Sequence, residues 1–299
     1  MLDRSRRYFM KEVVVGAAAY GLADDQVRGA AAGDTGGSRL QKVGVELYTV
    51  RNIILNDPAQ VLNTLAAIGF REAEVIWTTL DRIWPALSQT QLKPVSIHMD
   101  AQLFEPGKGD QLEAALHKVK ECGFNYVVYP AVSRPNRDAS LDFFEALADR
   151  LNQAGKKCRT LGMQLCYHNH AFDFKPIGST TPVETLLSRT SPETLALEVD
   201  VFWVSVAGHD PVEFLKEHNG RVPLVHLKNK TAGLPVQFNE TVPAGAFREV
   251  GNGSLDIGGI LRAAMDIGAR HFFVEQDQTP GDPIASLRES YTYLDRLRF

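Results

Sequence analysis

From Lys42 to its end, the chain alternates two hydrophobic patterns. Short apolar runs occur at 43–48, 70–76, 93–99, 125–131, 163–169, 195–200, 222–227 and 271–275. An apolar run of this length, bounded by turn residues, is the pattern of a strand covered on both faces in a parallel sheet. Between these runs apolar residues recur every three or four positions. Asp57-Pro58 opens one such segment as N-cap and first helical residue, Val61, Leu62, Leu65 and Ile68 form its stripe, and Gly69 stops it. Leu112, Ala115, Leu116 and Val119 repeat the stripe before Gly123. A longer one runs through Leu141, Phe144, Leu147, Leu151 and Ala154. Another, opened by Ser254 to Asp256, holds Ile260, Leu261 and Ala264 and closes at Gly268, and Ile284, Leu287, Tyr291 and Leu294 mark the last. Eight strand–helix pairs predict one (β/α)8 TIM barrel over residues 41–299. A doubly wound open sheet would carry a Gly-rich phosphate turn after its first strand, and the residues after Leu47 are Tyr48-Thr49-Val50-Arg51 instead. The longest loop, from Asn229 to Asn252, contains Phe238, Pro243 and Phe247 and suits a lid or substrate wall.

Four of the runs end in residues that bind metal. They are Met163-Gln164-Leu165-Cys166-Tyr167-His168-Asn169-His170, Leu195 to Asp200, Pro223-Leu224-Val225-His226-Leu227-Lys228, and His271 to Glu275. In a barrel every strand C-terminus opens on one face, so His168, Asp200, His226 and Glu275 are brought together from strands five to eight. One such ending has a structural reading, as a hydrogen-bonded or solvated group. Four on consecutive strands have no reason in packing alone. Two imidazoles and two carboxylates suit one divalent ion, Mn, Zn, Co or Fe more than Mg. Its open positions would take substrate oxygens and polarise a carbon–oxygen bond.

Other candidates surround this set. His98 ends the third run and is a proton carrier or hydroxyl donor, while Lys228, two beyond His226, is placed to stabilise an enolate oxygen. Glu275 is the candidate carboxylate base. Tyr48, Arg51 and Glu74 are candidates to hold substrate hydroxyls, and His170 shares strand parity with His168. Glu198 lies one layer deeper than Asp200 and is either salt-bridged or a ligand. Trp77 and Trp203 offer an apolar face for a sugar ring. For each of these, ordinary core or surface hydrogen bonding stands beside the functional reading.

The formal net charge is −4 with no run of like charges, so the basic face that nucleic acid demands is missing. Cys122, Cys158 and Cys166 are odd in number and form no CxxC spacing, which indicates neither a disulfide framework nor a thiolate zinc site. No run of 18 apolar residues occurs, so no membrane span is expected in the mature protein. The N-terminus reads differently. Ser5-Arg6-Arg7-Tyr8-Phe9-Met10-Lys11, followed by Val13-Val14-Val15-Gly16-Ala17-Ala18-Ala19, is similar to a twin-arginine export signal. Glu12 interrupts that pattern, and a basic leader with chance arginines is the alternative. Residues 1–40 are therefore read as export signal and linker, with a periplasmic or secreted destination.

The motifs together resemble the xylose-isomerase-like barrel superfamily, the sugar phosphate isomerase/epimerase group. The likeness spans roughly residues 42–299 and rests on Val45 to Arg51, Tyr167-His168-Asn169-His170, Asp200, Val225-His226-Leu227-Lys228, Gly251-Asn252-Gly253 with Asp256, and Phe273 to Gln278. The resemblance implies a metal-dependent enzyme that acts on a small sugar or keto-sugar by proton abstraction next to a carbonyl. It also implies a metal set of Glu, Asp, His and Glu from strands five to eight. Asp200, His226 and Glu275 match that set, but the usual Glu-Asn-His of strand five reads His168-Asn169-His170 here. Epimerases and ketose isomerases of the group use two facing glutamates, and this chain lacks one of them. One-base chemistry follows more naturally, including the elimination carried out by keto-sugar dehydratases and keto-glycoside lyases. A single-base enediol isomerisation also survives. A phosphodiesterase would need more His and Glu ligands and a basic DNA face, and a non-catalytic periplasmic sugar-binding barrel would tolerate the missing glutamate.

Overall fold

A computed structural model describes residues 37–299. The Arg6-Arg7 leader and most of the expected linker lie outside the described residues. The barrel strands are β1 (Gly44–Glu46), β2 (Glu72–Ile76), β3 (Lys93–His98), β4 (Tyr126–Tyr129), β5 (Gln164–His168), β6 (Ala196–Asp200), β7 (Leu224–Leu227) and β10 (His271–Val274). They are parallel and close in the order β1-β10-β7-β6-β5-β4-β3-β2. Between β7 and β10, two short strands, β8 (Asn229–Lys230) and β9 (Phe247–Arg248), pair antiparallel. The helices are α1 (Pro58–Ile68), α2 (Leu80–Leu87), α3 (Gly109–Glu121), α4 (Leu141–Thr160), α5 (Pro182–Ser188), α6 (Val201–Val206), α7 (Pro211–Glu217), α8 (Ile257–Asp266) and α9 (Pro283–Arg296). The expected (β/α)8 barrel is the observed fold. Among the described residues, no helix is long and apolar enough to cross a membrane.

Two layers of burial follow from the strand pattern. Side chains facing outward join the helix stripes in one large core, which includes Leu62, Leu65, Leu116, Phe144 and Leu151. Side chains facing inward form a smaller cluster of Val95, Tyr126, Val128, Cys166, Ala196, Leu224 and Phe273. This plug fills the barrel below the strand ends. Gly44 makes room for it, since a Cβ there would stand 2.4 Å from the Phe273 ring. The three cysteines are free, as the spacing predicts.

The strands end where side chains capture the backbone. The first apolar run reaches residue 48, but β1 stops at Glu46. The Glu46 carboxylate accepts the Tyr48 N–H at 2.9 Å and turns Leu47–Val50 into a short helical turn. Asp200 does the same after β6, accepting the N–H groups of Phe202 at 2.9 Å and Trp203 at 3.2 Å to cap α6. Asn169 ties the ends of β5 and β6 together, since its Oδ1 accepts the Asp200 N–H at 3.0 Å and its Nδ2 donates to the Asp200 carbonyl at 3.3 Å. The long loop spans β8, β9 and the strap between them. At the other end of the described chain, the Phe299 N–H donates to the Ser38 carbonyl at 3.0 Å, which ties down the last residues of the expected linker.

Candidate active site

Above the apolar plug the barrel interior turns polar. Three overlapping sets of side chains stack there, and within each set one ligand atom per residue lies within 4.8 Å of the others. The deepest set is Glu46, Glu74, His98 and His226; the middle one is His98, His168, Glu198 and His226; the outermost is His168, Asp200, His226 and Glu275. His226 belongs to all three. The outermost set is the quartet that the strand ends predict.

The imidazoles are held by carboxylates. His168 Nδ1 lies 2.9 Å from Glu198 Oε2, which leaves Nε2 facing Asp200 Oδ2 at 3.5 Å. His226 Nδ1 lies 2.7 Å from Glu275 Oε2, and its Nε2 lies 2.5 Å from Glu74 Oε2. His98 Nε2 lies 2.7 Å from Glu198 Oε2, and its ring stacks on His226 at 5.6 Å. Glu198 therefore serves His98, His168 and His226 together. Burial opposes charge on His98 and His226, but the carboxylates of Glu74 and Glu198 override it and hold both well above the usual imidazole range. Burial and the neighbouring His226 push His168 the other way, and burial with the Lys228 charge does the same for His170.

Lys228 is almost wholly buried, with Nζ 2.7 Å from Asp200 Oδ2, 2.7 Å from Glu275 Oε2 and 2.9 Å from Asp277 Oδ2. Its ammonium thus meets three carboxylates while lining the cavity at the mouth. The contact with Asp277 is a directed hydrogen bond, whereas Asp200 Oδ2 meets the ammonium as an ion pair without one. Burial raises Glu275, but Lys228 and His226 override it and hold the carboxyl far below the ordinary carboxylate range. Burial raises Asp277 to about 6 despite Lys228.

A cavity of about 390 Å3 opens over this centre. Of the predicted residues, His98, His168, Lys228 and Glu275 line it, as do Tyr48, Arg51, His170 and Trp203. Glu74 does not. It is fully buried beneath His226, so the expectation that it holds substrate hydroxyls is corrected to a structural partner of imidazoles. Trp77 is likewise absent from the lining. Arg51 donates to the Tyr48 carbonyl at 2.8 Å and the Asp277 carbonyl at 2.7 Å, bracing the loops after β1 and β10. A roomier groove of about 810 Å3 along α9 holds none of the strand-end residues.

Residues 96–297 match the family model described as a xylose isomerase-like TIM barrel. The chain belongs to that family. It is similar to the inosose dehydratase of Geobacillus kaustophilus (strain HTA426), at 28% identity over 164 residues, covering 52% of this chain and 53% of that protein. The match thus spans about half the length of that curated relative. Among solved structures it is similar to a sugar phosphate isomerase/epimerase from Parabacteroides distasonis ATCC 8503, with TM-score 0.70 and 20% identity, covering 89% of this chain and 96% of that one. It is also similar to the IolI protein with a bound zinc atom, with TM-score 0.63 and 16% identity, covering 85% of this chain and 97% of that one.

Within this xylose isomerase-like barrel the donor set fits a divalent cation. Glu46 Oε2, Glu74 Oε1 and Glu198 Oε1 are buried and accept no hydrogen bond among the described residues. Buried carboxylate oxygens without partners are costly, and a cation satisfies them. Two imidazoles and two carboxylates are also the N/O mixture that first-row divalent ions accept. Glu198 behind His168 supplies the carboxylate–imidazole support common around such ions. Sequence reading passed over Glu46 and Asp277 as site members, although both stood inside the motifs of β1 and β10. It also missed Arg137 and Glu240, which come from loops with no periodic signal.

Proposed function

We propose that the protein is a metal-dependent lyase that dehydrates a keto-sugar or keto-polyol. The carrying observation is that β5 ends in an imidazole, not a carboxylate, and that Glu198 fixes it 2.9 Å away at Nδ1. A ring held this way presents Nε2 as a ligand and removes one of the two facing glutamates that epimerisation needs. In this reading His168, Asp200, His226 and Glu275 hold the ion. When bound, it polarises the substrate carbonyl and so acidifies the adjacent C–H.

Glu275 and His98 both line the cavity, which places a carboxylate base and an imidazole acid within one substrate-sized space. The ionised Glu275 takes the proton next to the carbonyl. The released electron pair forms the new double bond as the β carbon–oxygen bond breaks. His98, held protonated, gives its proton to the departing hydroxide, which leaves as water. The products are an unsaturated ketone and water. The inosose dehydratase named among the relatives supports this direction.

The test is turnover of 2-keto-myo-inositol by metal-loaded protein in D2O, followed by NMR and by absorbance of the unsaturated ketone. Loss of water is the expected result. An epimer carrying deuterium, with no loss of water, would show the epimerase reaction instead. We also propose, on the Arg6-Arg7 leader, that the enzyme is exported.

A further inference from the structure

The strap between β8 and β9 reaches across the barrel mouth and delivers one charged side chain into the cavity. Glu240 forms an ion pair with Arg137, which comes from the loop after β4. Arg137 is itself fixed, donating to the Val132 carbonyl at 3.0 Å and lying 4.8 Å above the Phe172 ring. One carboxylate oxygen of Glu240 is thereby used. The other, Oε1, is buried and accepts no hydrogen bond among the described residues, with His170 Nε2 at 3.4 Å as its neighbour. Trp203, whose ring lies 5.7 Å from that of His170, is 2% exposed, and its indole N–H finds no acceptor among the described residues. All three side chains line the cavity.

We propose that Trp203, His170 and Glu240 form a second binding point within the mouth, built for two adjacent hydroxyl groups of an uncharged polyol. The proposal rests on the function proposed above and narrows its substrate class. An indole N–H only donates and a carboxylate only accepts. A vicinal diol matches that pair, because one hydroxyl accepts from Trp203 while the other donates to Glu240. A phosphate or carboxylate on the substrate would meet the Glu240 charge without a hydrogen to give. Of the guanidiniums that line the cavity, Arg137 is spent on Glu240 and Arg51 on backbone carbonyls, while Arg134 has no ion-pair partner among the described residues. At Trp203 and Glu240 themselves, hydroxyl groups are therefore favoured over an anion.

Calorimetric titration with myo-inositol, which has the diol but no carbonyl, tests the binding point apart from the reaction. Wild-type protein should bind myo-inositol. Trp203→Phe should weaken binding about tenfold, the loss expected for one hydrogen bond to a buried donor. It also trims a ring packed on Phe202 and Phe247, so the melting temperature is measured beside the affinity to confirm that the variant is folded at the titration temperature. Glu240→Ala should weaken binding by a similar factor, and Glu240→Gln should recover part of the loss. No binding of myo-inositol by wild type, or full affinity in either Trp203→Phe or Glu240→Ala, would overturn the binding point. Wild-type metal content and turnover of 2-keto-myo-inositol, measured in parallel, report on the reaction alone.

Discussion

His168 Nδ1 stands 2.9 Å from Glu198 Oε2, so the ring that ends β5 is aimed by the carboxylate paired with it in register on β6. This fixes which nitrogen faces Asp200. Glu198→Gln should therefore lower metal affinity about 10- to 100-fold, although Glu198 is outside the outermost set. His226→Ala or Asp200→Ala should remove the metal altogether. Elemental analysis and competitive chelation read both effects. Full activity in metal-free protein would count against the whole scheme.

His168→Glu restores two carboxylates facing across the mouth. We expect the variant to keep its metal and lose dehydration. Substrate recovered from D2O should then carry deuterium at the carbon beside the carbonyl. Retention of native dehydration in this variant would show that the imidazole is not what selects elimination.

Asp173 gives a pH signature of folding. Burial raises its carboxyl from 3.8 to about 7, against the Tyr167 hydroxyl that donates to it at 2.6 Å. A raised carboxyl means that the folded state holds a proton the unfolded chain has released. Its contribution is complete below about pH 4 and is lost as pH rises through about 7, at up to about 1.4 kcal/mol per pH unit. Asp173→Asn should gain stability relative to wild type as pH rises from 5 to 8. Parallel urea-denaturation curves for the two proteins across that range would remove the assignment.

Gly155 marks the closest approach of α4 to the backbone before β6. A Cβ there would lie 1.9 Å from the Thr194 carbonyl oxygen, which has no rotamer through which to escape. Gly155→Ala should cost about 1–3 kcal/mol as overpacking, measured by thermal or urea unfolding. Gly268→Ala meets nothing within 4 Å but strains a backbone at φ +89°, so it reports conformational strain separately from collision.

Replacing Arg6 and Arg7 together by Lys tests export. The precursor should accumulate in the cytoplasm, as shown by fractionation of cells producing the full chain. Unchanged delivery would mean that the leader works by another route.

The barrel was legible because strands buried on both faces read as continuous apolar runs, and helices between them as stripes. The outermost quartet was legible for the same reason, since His168, Asp200, His226 and Glu275 each end such a run. What lay below was harder to read. Glu74 and Glu198 share strand parity with the plug, and only closure of the barrel shows that they support imidazoles. The ion pairs of Lys228 with Asp200 and Asp277 join three different strand ends, and no local pattern encodes them. Glu240 sits in a loop whose path across the mouth depends on Arg137, 103 residues earlier.

The membership of His226 in three stacked sets has a consequence for how this site evolves. A substitution there disturbs a deep carboxylate pair, a middle imidazole cluster and the outer ligand set at once, so no single change elsewhere compensates for it. Trp203 and Glu240 line the cavity but belong to none of the three sets. A change at either alters what the cavity holds and leaves the ligand sets intact, so substrate range can drift while the chemistry stays anchored to one imidazole.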